Sequence, residues 1–133
     1  TRYALSPMRI LVVEDVEEML ELLLELVRPI PGVQAVHRAR NAIEARLEIE
    51  RHRPDIALLD EVLPGESATD LAAELAQRGI PILFVTSSLA SKSALPPGVL
   101  SRFLKPDWDD LALRRPELEA ALMSAVDRAT KKR

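Results

Sequence analysis

The stretch that decides the fold is DIALLDEVLPG, residues 55–65, in which four apolar residues run directly into an acid and a Pro-Gly turn follows. A short apolar run between turn residues is typical of a strand buried on both faces, as in a parallel sheet. Asp60 would then lie at the carboxyl end of this strand, the edge of an open α/β sheet where ligands bind. Taken alone, such an acid is a nucleophile, a metal ligand or a cap of the next helix, and caps or loop acids are the commonest.

Composition places the chain among globular proteins. It has 133 residues, of which 47% are apolar and 3% aromatic, so we expect one domain over residues 1–133 with an aliphatic core. The net charge of −3 gives no support for a nucleic-acid-binding surface. No apolar run approaches membrane-spanning length, and the absence of cysteine is compatible with a reducing compartment. We therefore expect a cytoplasmic protein with neither a membrane nor a nucleic acid as partner.

Short apolar runs alternate along the chain with stretches in which apolar residues recur at helical spacing. The runs predict strands at residues 9–13, 33–37, 56–60, 81–85 and 100–104. The helical stretches predict helices at residues 16–27, 42–51, 67–77 and 116–129, whereas residues 87–98 allow at most a short or irregular helix. This alternation predicts an α/β fold, in which right-handed crossovers build a parallel sheet with helices on both faces.

Helical spacing also assigns the buried face of each helix. Ile43 and Leu47 are predicted to point inward from the second helix, whereas Leu22 falls among glutamates and is predicted to be exposed. His37 and His52 lack the spacing of metal ligands and are predicted to be ordinary surface residues. The other predicted inward residues are Val16, Met19, Leu20, Leu23 and Val27 in the first helix, and Leu118, Leu122 and Val126 in the last.

Polar residues recur where the predicted strands end. They are Glu14 and Asp15 after the first strand, Asp60 after the third, Thr86 after the fourth and Lys105 after the fifth. If the first and third strands are neighbours, three carboxylates crowd together, which raises a pKa or recruits a divalent cation such as Mg²⁺. A cation, an ammonium and a hydroxyl around one carboxylate predict a phosphoryl-transfer site in which that carboxylate attacks phosphorus.

Four segments resemble the receiver domain of two-component response regulators: RILVVED at 9–15, DIALLDEVLPG at 55–65, FVTS at 84–87 and FLKP at 103–106. Each is weakly specific alone, but four in the right order at strand ends are strongly specific. The resemblance covers about residues 8–130 and implies a flavodoxin-like, doubly wound five-stranded sheet in the order 2-1-3-4-5. Segments around residues 65–67, 78–81 and 95–96 further resemble a divergent subfamily of single-domain receivers with a degraded fourth helix.

By this resemblance, Asp60 accepts a phosphoryl group from a phosphohistidine on a sensor histidine kinase or a histidine phosphotransfer protein. Thr86 would hydrogen-bond the acyl phosphate, Lys105 would pair with it, and the Ser87 backbone amide would contact a phosphoryl oxygen. The chain would catalyse only its own phosphorylation and dephosphorylation, and it is not expected to be an enzyme otherwise. Pro106 is commonly cis in this family, which predicts a cis peptide bond beside the site.

The resemblance also implies a Mg²⁺ site. Asp15 and Asp60 would bind the ion directly, Glu14 would act through a water molecule, and the backbone carbonyl of Val62 would complete the protein ligands. No DNA-binding module follows the last predicted helix in this sequence. If the chain is complete, the signal is expected to pass by contact to a downstream protein partner.

Two features depart from the family pattern. The family usually carries Tyr or Phe three residues before the lysine, as a rotating switch, and this chain carries Arg102 there. Because burying an unpaired guanidinium is costly, Arg102 is expected to point outward or to pair with an acid. Residues 107–115 also form a longer link into the last helix than is usual.

Two alternatives to a phosphorylatable receiver remain open on these residues. A pseudo-receiver would use the same fold as a protein-binding module without phosphorylation, which Arg102 mildly favours and the complete polar set opposes. An aspartate-nucleophile phosphohydrolase would carry a second aspartate two residues after the nucleophile, where this chain has Val62. A phosphorylatable receiver is therefore the leading interpretation.

Overall fold

The structure, a computed structural model, describes residues 7–90 and 93–131. Its strands are β1 (Met8–Val13), β2 (Val33–Ala39), β3 (Ile56–Asp60), β4 (Ile82–Thr86) and β5 (Val99–Leu104). Its helices are α1 (Glu17–Val27), α2 (Ala42–His52), α3 (Ala68–Gln77) and α4 (Leu111–Lys131), and a 3-10 helix at Trp108–Asp110 leads into α4. Every predicted strand and helix is present, and the largest boundary shift is at the start of α4.

The strands form one parallel sheet in the order β2-β1-β3-β4-β5. This order confirms the predicted flavodoxin-like α/β fold. β1 lies between β2 and β3, so that Val13 at its end pairs with Ala39 on one side and Leu59 on the other. Because all strands run in the same direction, their carboxyl ends meet at one edge of the sheet, where ligands bind in such folds.

Helices cover both faces of the sheet. On one face α1 and α4 pack over strand residues such as Ile10 and Leu58, and on the other α2 and α3 pack over Leu11 and Leu59. Successive residues of a strand point to opposite faces, so each central strand contributes to both cores. This is why β3 has an unbroken apolar sequence, and it confirms the interpretation of residues 56–59 as a strand buried on both sides.

Side-chain caps start α2 and α3. The Asn41 side chain accepts a hydrogen bond of 2.8 Å from the backbone N–H of Glu44, and Ser67 accepts one of 3.2 Å from Asp70. These bonds satisfy donors that the first turn of a helix leaves unpaired.

Within the described residues, no helix combines the length and hydrophobicity needed to cross a bilayer.

The prediction for the buried face of α2 is wrong. Ile43 and Leu47 are 70% and 50% exposed, whereas Ala42, Ala45 and Ile49 are buried. The cap fixes where the helix starts, and residues three and seven positions after the first helical residue then face the sheet. The small alanines bring the helix close to the strands, so the larger apolar side chains are left on the outside.

α1 is buried over more of its circumference than one inward stripe would give. Leu22, predicted to be exposed, is buried, as are Leu24 and Leu26. Val16, predicted to point inward, is the residue before the helix and is half exposed. The helix contacts both the sheet and α4, so two of its sides are covered.

The last helix begins earlier than predicted. Asp107 and Asp110 form a capping box that starts the 3-10 helix, and α4 follows at once, so Pro116 lies inside the helix and not in its first turn. Proline inside a helix removes one backbone hydrogen bond. The turns before Pro116 are nevertheless stabilised, because the capping box satisfies the start of the helical segment. The long link expected at residues 107–115 is therefore mostly helical.

The connection between β4 and β5 has no helix in its described residues, 87–90 and 93–98. This agrees with the expected short or irregular fourth helix, although residues 91–92 of that segment lie outside the described residues. Gly98 ends the connection at φ +87°, and a Cβ there would collide with the Cβ of Ala76 in α3. Only glycine therefore fits at this point, and it anchors the end of an otherwise irregular segment.

Candidate functional site

The strand ends bring three carboxylates together. One oxygen each from Glu14, Asp15 and Asp60 lies within 4.8 Å of the other two, a group called the acidic edge below. Glu14 and Asp15 follow β1 and Asp60 ends β3, and these two strands are hydrogen-bonded neighbours. The crowding predicted from the sequence is therefore present, and neighbouring strands are its cause.

Lys105 reaches this group from the end of β5. Its Nζ lies 3.1 Å from Oε1 of Glu14 and 3.3 Å from Oδ2 of Asp60, so one ammonium bridges two acids. The Glu14 side chain is fully buried, that of Asp60 is nearly so, and that of Lys105 is partly exposed. Two buried carboxylates share this one ammonium and the more exposed Asp15 lies beside them, so an excess of negative charge remains, which favours a further cation or a proton.

The pKa of Glu14 reflects this environment. Burial of the carboxyl is the largest influence, followed by a stabilising hydrogen bond of 3.2 Å from the Val16 N–H and by the repelling charge of Asp60, and the balance raises the pKa of Glu14 to about 7. For Lys105, burial disfavours the charged amine. The Glu14 and Asp60 carboxylates outweigh that burial and raise the pKa of Lys105.

Asp60 is held in a defined orientation. Its Oδ1 accepts a hydrogen bond of 3.0 Å from the backbone N–H of Val62, and its Oδ2 faces Lys105. The carboxylate lies at the bottom of an open cleft of about 650 Å³. The residues lining this cleft are Asp15, Asp60, Glu61, Val62, Thr86, Ser87, Ser88 and Lys105. A small anionic group can therefore reach Asp60 from solvent.

The hydroxyl of Thr86 is turned toward the connection after β4. It donates a hydrogen bond of 3.0 Å to the carbonyl of Ser88 and accepts one of 3.3 Å from the Ser88 N–H. Thr86 is at the mouth of the cleft beside Ser87, but its hydroxyl must rotate to meet a group on Asp60. Sequence reasoning did not find Ser88 as its partner, since a backbone carbonyl carries no sequence signal.

Arg102 pairs with an acid, as expected. Its Nε lies 3.0 Å from Oε1 of Glu61 and its Nη2 lies 2.9 Å from Oε2, while Nη1 donates to the carbonyl of Ser93 at 3.0 Å. This guanidinium joins the residue after Asp60 to the connection between β4 and β5. The sequence did not lead us to predict a role for Glu61. An acid directly after Asp60 and an arginine in place of the aromatic switch were the two features that could have suggested this pairing.

No cis peptide bond occurs in the described residues, and the peptide bond before Pro106 is therefore trans. The expectation of a cis proline is therefore wrong. The trans form is the more stable one for most X–Pro bonds. Here the chain leaves β5 and continues extended through Asp107 to the 3-10 helix, so no reversal beside the site is needed.

The acidic edge fits a hard divalent cation. Oε1 of Glu14 is buried and has no hydrogen-bond partner among the described residues, although the Lys105 ammonium lies near it. Carboxylate oxygens are the ligands that Mg²⁺ prefers, with water completing the shell. Val62 places its backbone next to this group, and its side chain points into solvent.

Residues 10–111 match the family described as the response regulator receiver domain. The chain belongs to this family. The matched range contains every residue of the predicted site, from Glu14 to Lys105. The receiver domain family is that of two-component response regulators, so the resemblance found in the sequence motifs is confirmed.

Curated relatives of this receiver domain are longer proteins. It is 34% identical over 106 residues to the transcriptional regulatory protein DpiA of Escherichia coli K12, which is 76% of this chain and 47% of DpiA. It is 31% identical over 83 residues to the protein-glutamate methylesterase/protein-glutamine glutaminase of Rhizobium etli, which is 62% of this chain and 24% of that protein. The chain therefore spans about half the length of DpiA and a quarter of the methylesterase.

Solved receiver domains have the same fold. The CheY-like receiver of Methanospirillum hungatei gives a TM-score of 0.76 at 25% identity, over 96% of this chain and 100% of that one. TrrA of Thermotoga maritima, solved in complex with Mg²⁺ and BeF, gives a TM-score of 0.65 at 26% identity, over 84% and 98%. The receiver domain described here carries the acidic edge at the end of the same kind of sheet.

Proposed function

We propose that Asp60 is the phosphoacceptor of a two-component phosphorelay and that it receives a phosphoryl group from a phosphohistidine in a Mg²⁺-dependent reaction. The observation that carries this proposal is the position of Asp60 at the bottom of the cleft, 3.3 Å from the Lys105 ammonium and beside two further carboxylates. In phosphoryl transfer, positioning and charge neutralisation account for most of the catalysis. These residues are arranged to supply both.

In the proposed step, a carboxylate oxygen of Asp60 forms a bond to phosphorus while the bond between phosphorus and the histidine nitrogen breaks. The imidazole keeps the electron pair of that bond and leaves. Lys105 offsets the charge of the phosphoryl oxygens, and the Thr86 hydroxyl and the Ser87 N–H donate hydrogen bonds to them. In a separate step, water would attack phosphorus, the bond between phosphorus and the Asp60 oxygen would break, and inorganic phosphate would leave, returning Asp60 to its free form.

Asp15 and Asp60 are the proposed direct ligands of Mg²⁺, with the Val62 carbonyl as a third and Glu14 acting through water. When bound, the ion would neutralise charge that the acids and phosphoryl oxygens share. The burial of Glu14 supports this assignment, because its carboxylate shares one ammonium with Asp60 and a cation would neutralise the remaining negative charge. The raised pKa of Glu14 supports it for the same reason.

The proposed partners are a sensor histidine kinase or histidine phosphotransfer protein as donor and a downstream protein as receiver of the signal, in the cytoplasm. We also propose that about residues 8–130 act as one receiver unit. Val16 and Val62 support a docking surface for the donor, because both expose apolar side chains next to the acidic edge.

We further propose that phosphorylation is read out through residues 87–98. A phosphoryl group on Asp60 would draw the Thr86 hydroxyl away from Ser88, removing both hydrogen bonds that hold the start of this connection. Arg102 forms a bidentate pair with Glu61 and also donates a hydrogen bond to the Ser93 carbonyl, so it holds the middle of this connection in place. The signal would thus pass by a loop rearrangement and not by rotation of an aromatic ring.

The proposal is tested with acetyl phosphate and intact-mass measurement. We expect one added phosphoryl group in the presence of Mg²⁺, none in EDTA, and none for Asp60→Asn in either condition. Asp55→Asn is the matched control, since Asp55 lies at the opposite end of the same strand and accepts a hydrogen bond from the Arg9 N–H. Equal labelling of Asp60→Asn would refute the assignment, and no labelling of any form would favour a pseudo-receiver.

The readout is tested by hydrogen exchange with and without Mg²⁺ and beryllofluoride, a phosphoryl mimic. Amides of residues 87–98 should change their protection in the wild type. The same change should be reduced in Arg102→Ala, which loses the link to Ser93. If residues 87–98 are equally protected in both states while another surface changes, the loop is not the reporter.

A further inference from the structure

Two histidines and a glutamate meet on the side of the domain formed by β2 and α2. Nδ1 of His37 and Nε2 of His52 lie 3.8 Å and 3.7 Å from the same oxygen, Oε1 of Glu48. The imidazole rings are stacked, with centroids 3.8 Å apart and 9° between their planes. These residues are called the histidine cluster below. Both histidines are partly exposed, and their meeting at Glu48 was not predicted from their spacing in the sequence.

The backbone places these side chains. Glu48 and His52 are four residues apart in the last turns of α2, so they lie on one face of the helix. His37 pairs with Leu11 in the sheet, and Leu11 belongs to the core under α2, so His37 faces that helix. A strand and a helix that pack together therefore hold the three groups, and no loop is involved.

The spacing is close to what a metal ion requires. One ligand atom from each residue lies within 4.8 Å of the other two. A tetrahedral Zn²⁺ with bonds of about 2.0–2.1 Å holds its ligand atoms about 3.4 Å apart. The distances to Glu48 exceed this by only a few tenths of an ångström. Because the lone pair of an imidazole nitrogen lies in the plane of its ring, the partly exposed His52 ring must turn out of the stack for both histidines to face one ion.

The protonation state of the cluster also suits a metal. Burial of the imidazole, and then the neighbouring His52 ring, lower the pKa of His37, so at neutral pH its ring is uncharged and offers a lone pair. The charged groups facing it are Glu48, whose opposing influence raises the pKa of His37, and Arg9 from β1, which lowers it. Arg51 lies 3.7 Å from Oε2 of Glu48, which leaves Oε1 directed at the two rings.

We propose that His37, Glu48 and His52 form a binding site for Zn²⁺, with a fourth position open to water or to a ligand from another molecule. Two imidazole nitrogens and one carboxylate oxygen are a ligand set that zinc sites use, and three protein ligands leave one position free. Imidazole nitrogens also select against Mg²⁺, which takes oxygen ligands. The acidic edge and the histidine cluster would thus bind different ions in one domain.

The test is equilibrium dialysis of the full chain against Zn²⁺ with Mg²⁺ in excess to occupy the acidic edge, followed by measurement of bound zinc. We expect one zinc ion per chain in the wild type. His37→Asn and His52→Asn should each weaken binding by about tenfold or more, because loss even of a residue that only supports a metal ligand typically costs that much. Co²⁺ should give the visible absorption of a tetrahedral site in the wild type and lose it in both variants.

Two controls separate this site from other acids. Glu50→Gln changes a carboxylate on the same helix that pairs with Arg78, and Asp15→Asn changes the acidic edge, so both should keep full zinc binding. Labelling by acetyl phosphate should be unchanged in the histidine variants, which shows that they fold. Zinc binding that persists in both histidine variants, or disappears in Asp15→Asn, would overturn the proposal, as would no binding by the wild type.

Discussion

The acidic edge and the histidine cluster are built alike but differ in charge. Each brings three ligand groups within 4.8 Å of one another on neighbouring elements. The acidic edge has only carboxylates, with Glu14 fully buried and Lys105 as a counter-ion, whereas the histidine cluster is half-buried, carries one carboxylate and lowers the pKa of His37. The first is therefore destabilised by its own charge until a cation or proton arrives, and the second is close to neutral without one.

The difference shows that clustering of ligand groups alone does not define a site. Burial decides how much a bound ion stabilises the fold, because a desolvated charge costs far more than an exposed one. Ligand chemistry decides which ion binds, with oxygen sets favouring Mg²⁺ and imidazole sets favouring zinc. Each of these two statements can be tested by removing one group from each region.

The largest expected effect is the loss of Lys105. In Lys105→Met the buried carboxylates of Glu14 and Asp60 lose their shared ammonium, and breaking such a pair typically costs about 3 kcal/mol of unfolding free energy. Urea unfolding in EDTA at pH 8 should show this loss. At pH 5 the loss should be smaller, because Glu14 is then protonated. A loss that is equally large at both pH values would show that packing, and not charge, is responsible.

Magnesium should give the next largest effect. An ion that binds only the folded state stabilises it by about 1.4 kcal/mol at ten times its Kd. Thermal melting should therefore rise with Mg²⁺ in the wild type and rise less in Asp15→Asn, which should also be more stable than the wild type in EDTA because one repelling charge is gone. His52→Asn is the matched control and should keep the full response. A full response in Asp15→Asn would exclude Asp15 as a ligand.

The two regions should respond to pH with opposite signs in EDTA. The raised pKa of Glu14 means that the folded state holds a proton between about pH 4.5 and 7 that the unfolded state has released, so this group makes stability fall as pH rises. The lowered pKa of His37 means that the unfolded state holds more protons below about pH 6.5, so this group makes stability rise with pH. Each group should change the unfolding free energy by less than about 1.4 kcal/mol per pH unit, the slope that a difference of one bound proton would give.

Variants separate these two slopes. Urea unfolding from pH 5 to 8 should show a more positive slope in Glu14→Gln than in the wild type, and a more negative slope in His37→Asn. Saturating Mg²⁺ should also reduce the contribution of Glu14, since the ion competes with the proton. Identical slopes in the wild type and in both variants would mean that neither group titrates differently in the folded state.

The smallest effect is expected for His52→Asn without any metal. The His52 side chain is 39% exposed, and its contact with Glu48 at 3.7 Å is partly solvated, so it contributes less than about 0.5 kcal/mol. Urea unfolding in EDTA at pH 8 should therefore differ little from the wild type. A loss above about 1 kcal/mol would mean that the stacked rings are part of the core, and the contrast between the two regions would fail.

The position of the acidic edge at the strand ends could be predicted because the relevant geometry follows from local pattern. An apolar run such as residues 56–59 indicates a buried parallel strand, and the carboxyl ends of parallel strands share one edge. The polar residue after each strand, from Asp15 to Lys105, is therefore placed at that edge by its position alone. The same reasoning predicted the α/β fold, and the family motifs supplied the strand order.

The tertiary structure decided what depends on contacts between distant elements. The pairing of Arg102 with Glu61 and the meeting of His37 with Glu48 join separate segments, so no spacing along the chain reveals them. The buried face of α2 is of the same kind, since packing against the sheet selected alanines over Ile43 and Leu47. The physical reason is that periodicity reports how a segment folds locally, whereas partners and protonation states depend on which surfaces the whole fold brings together.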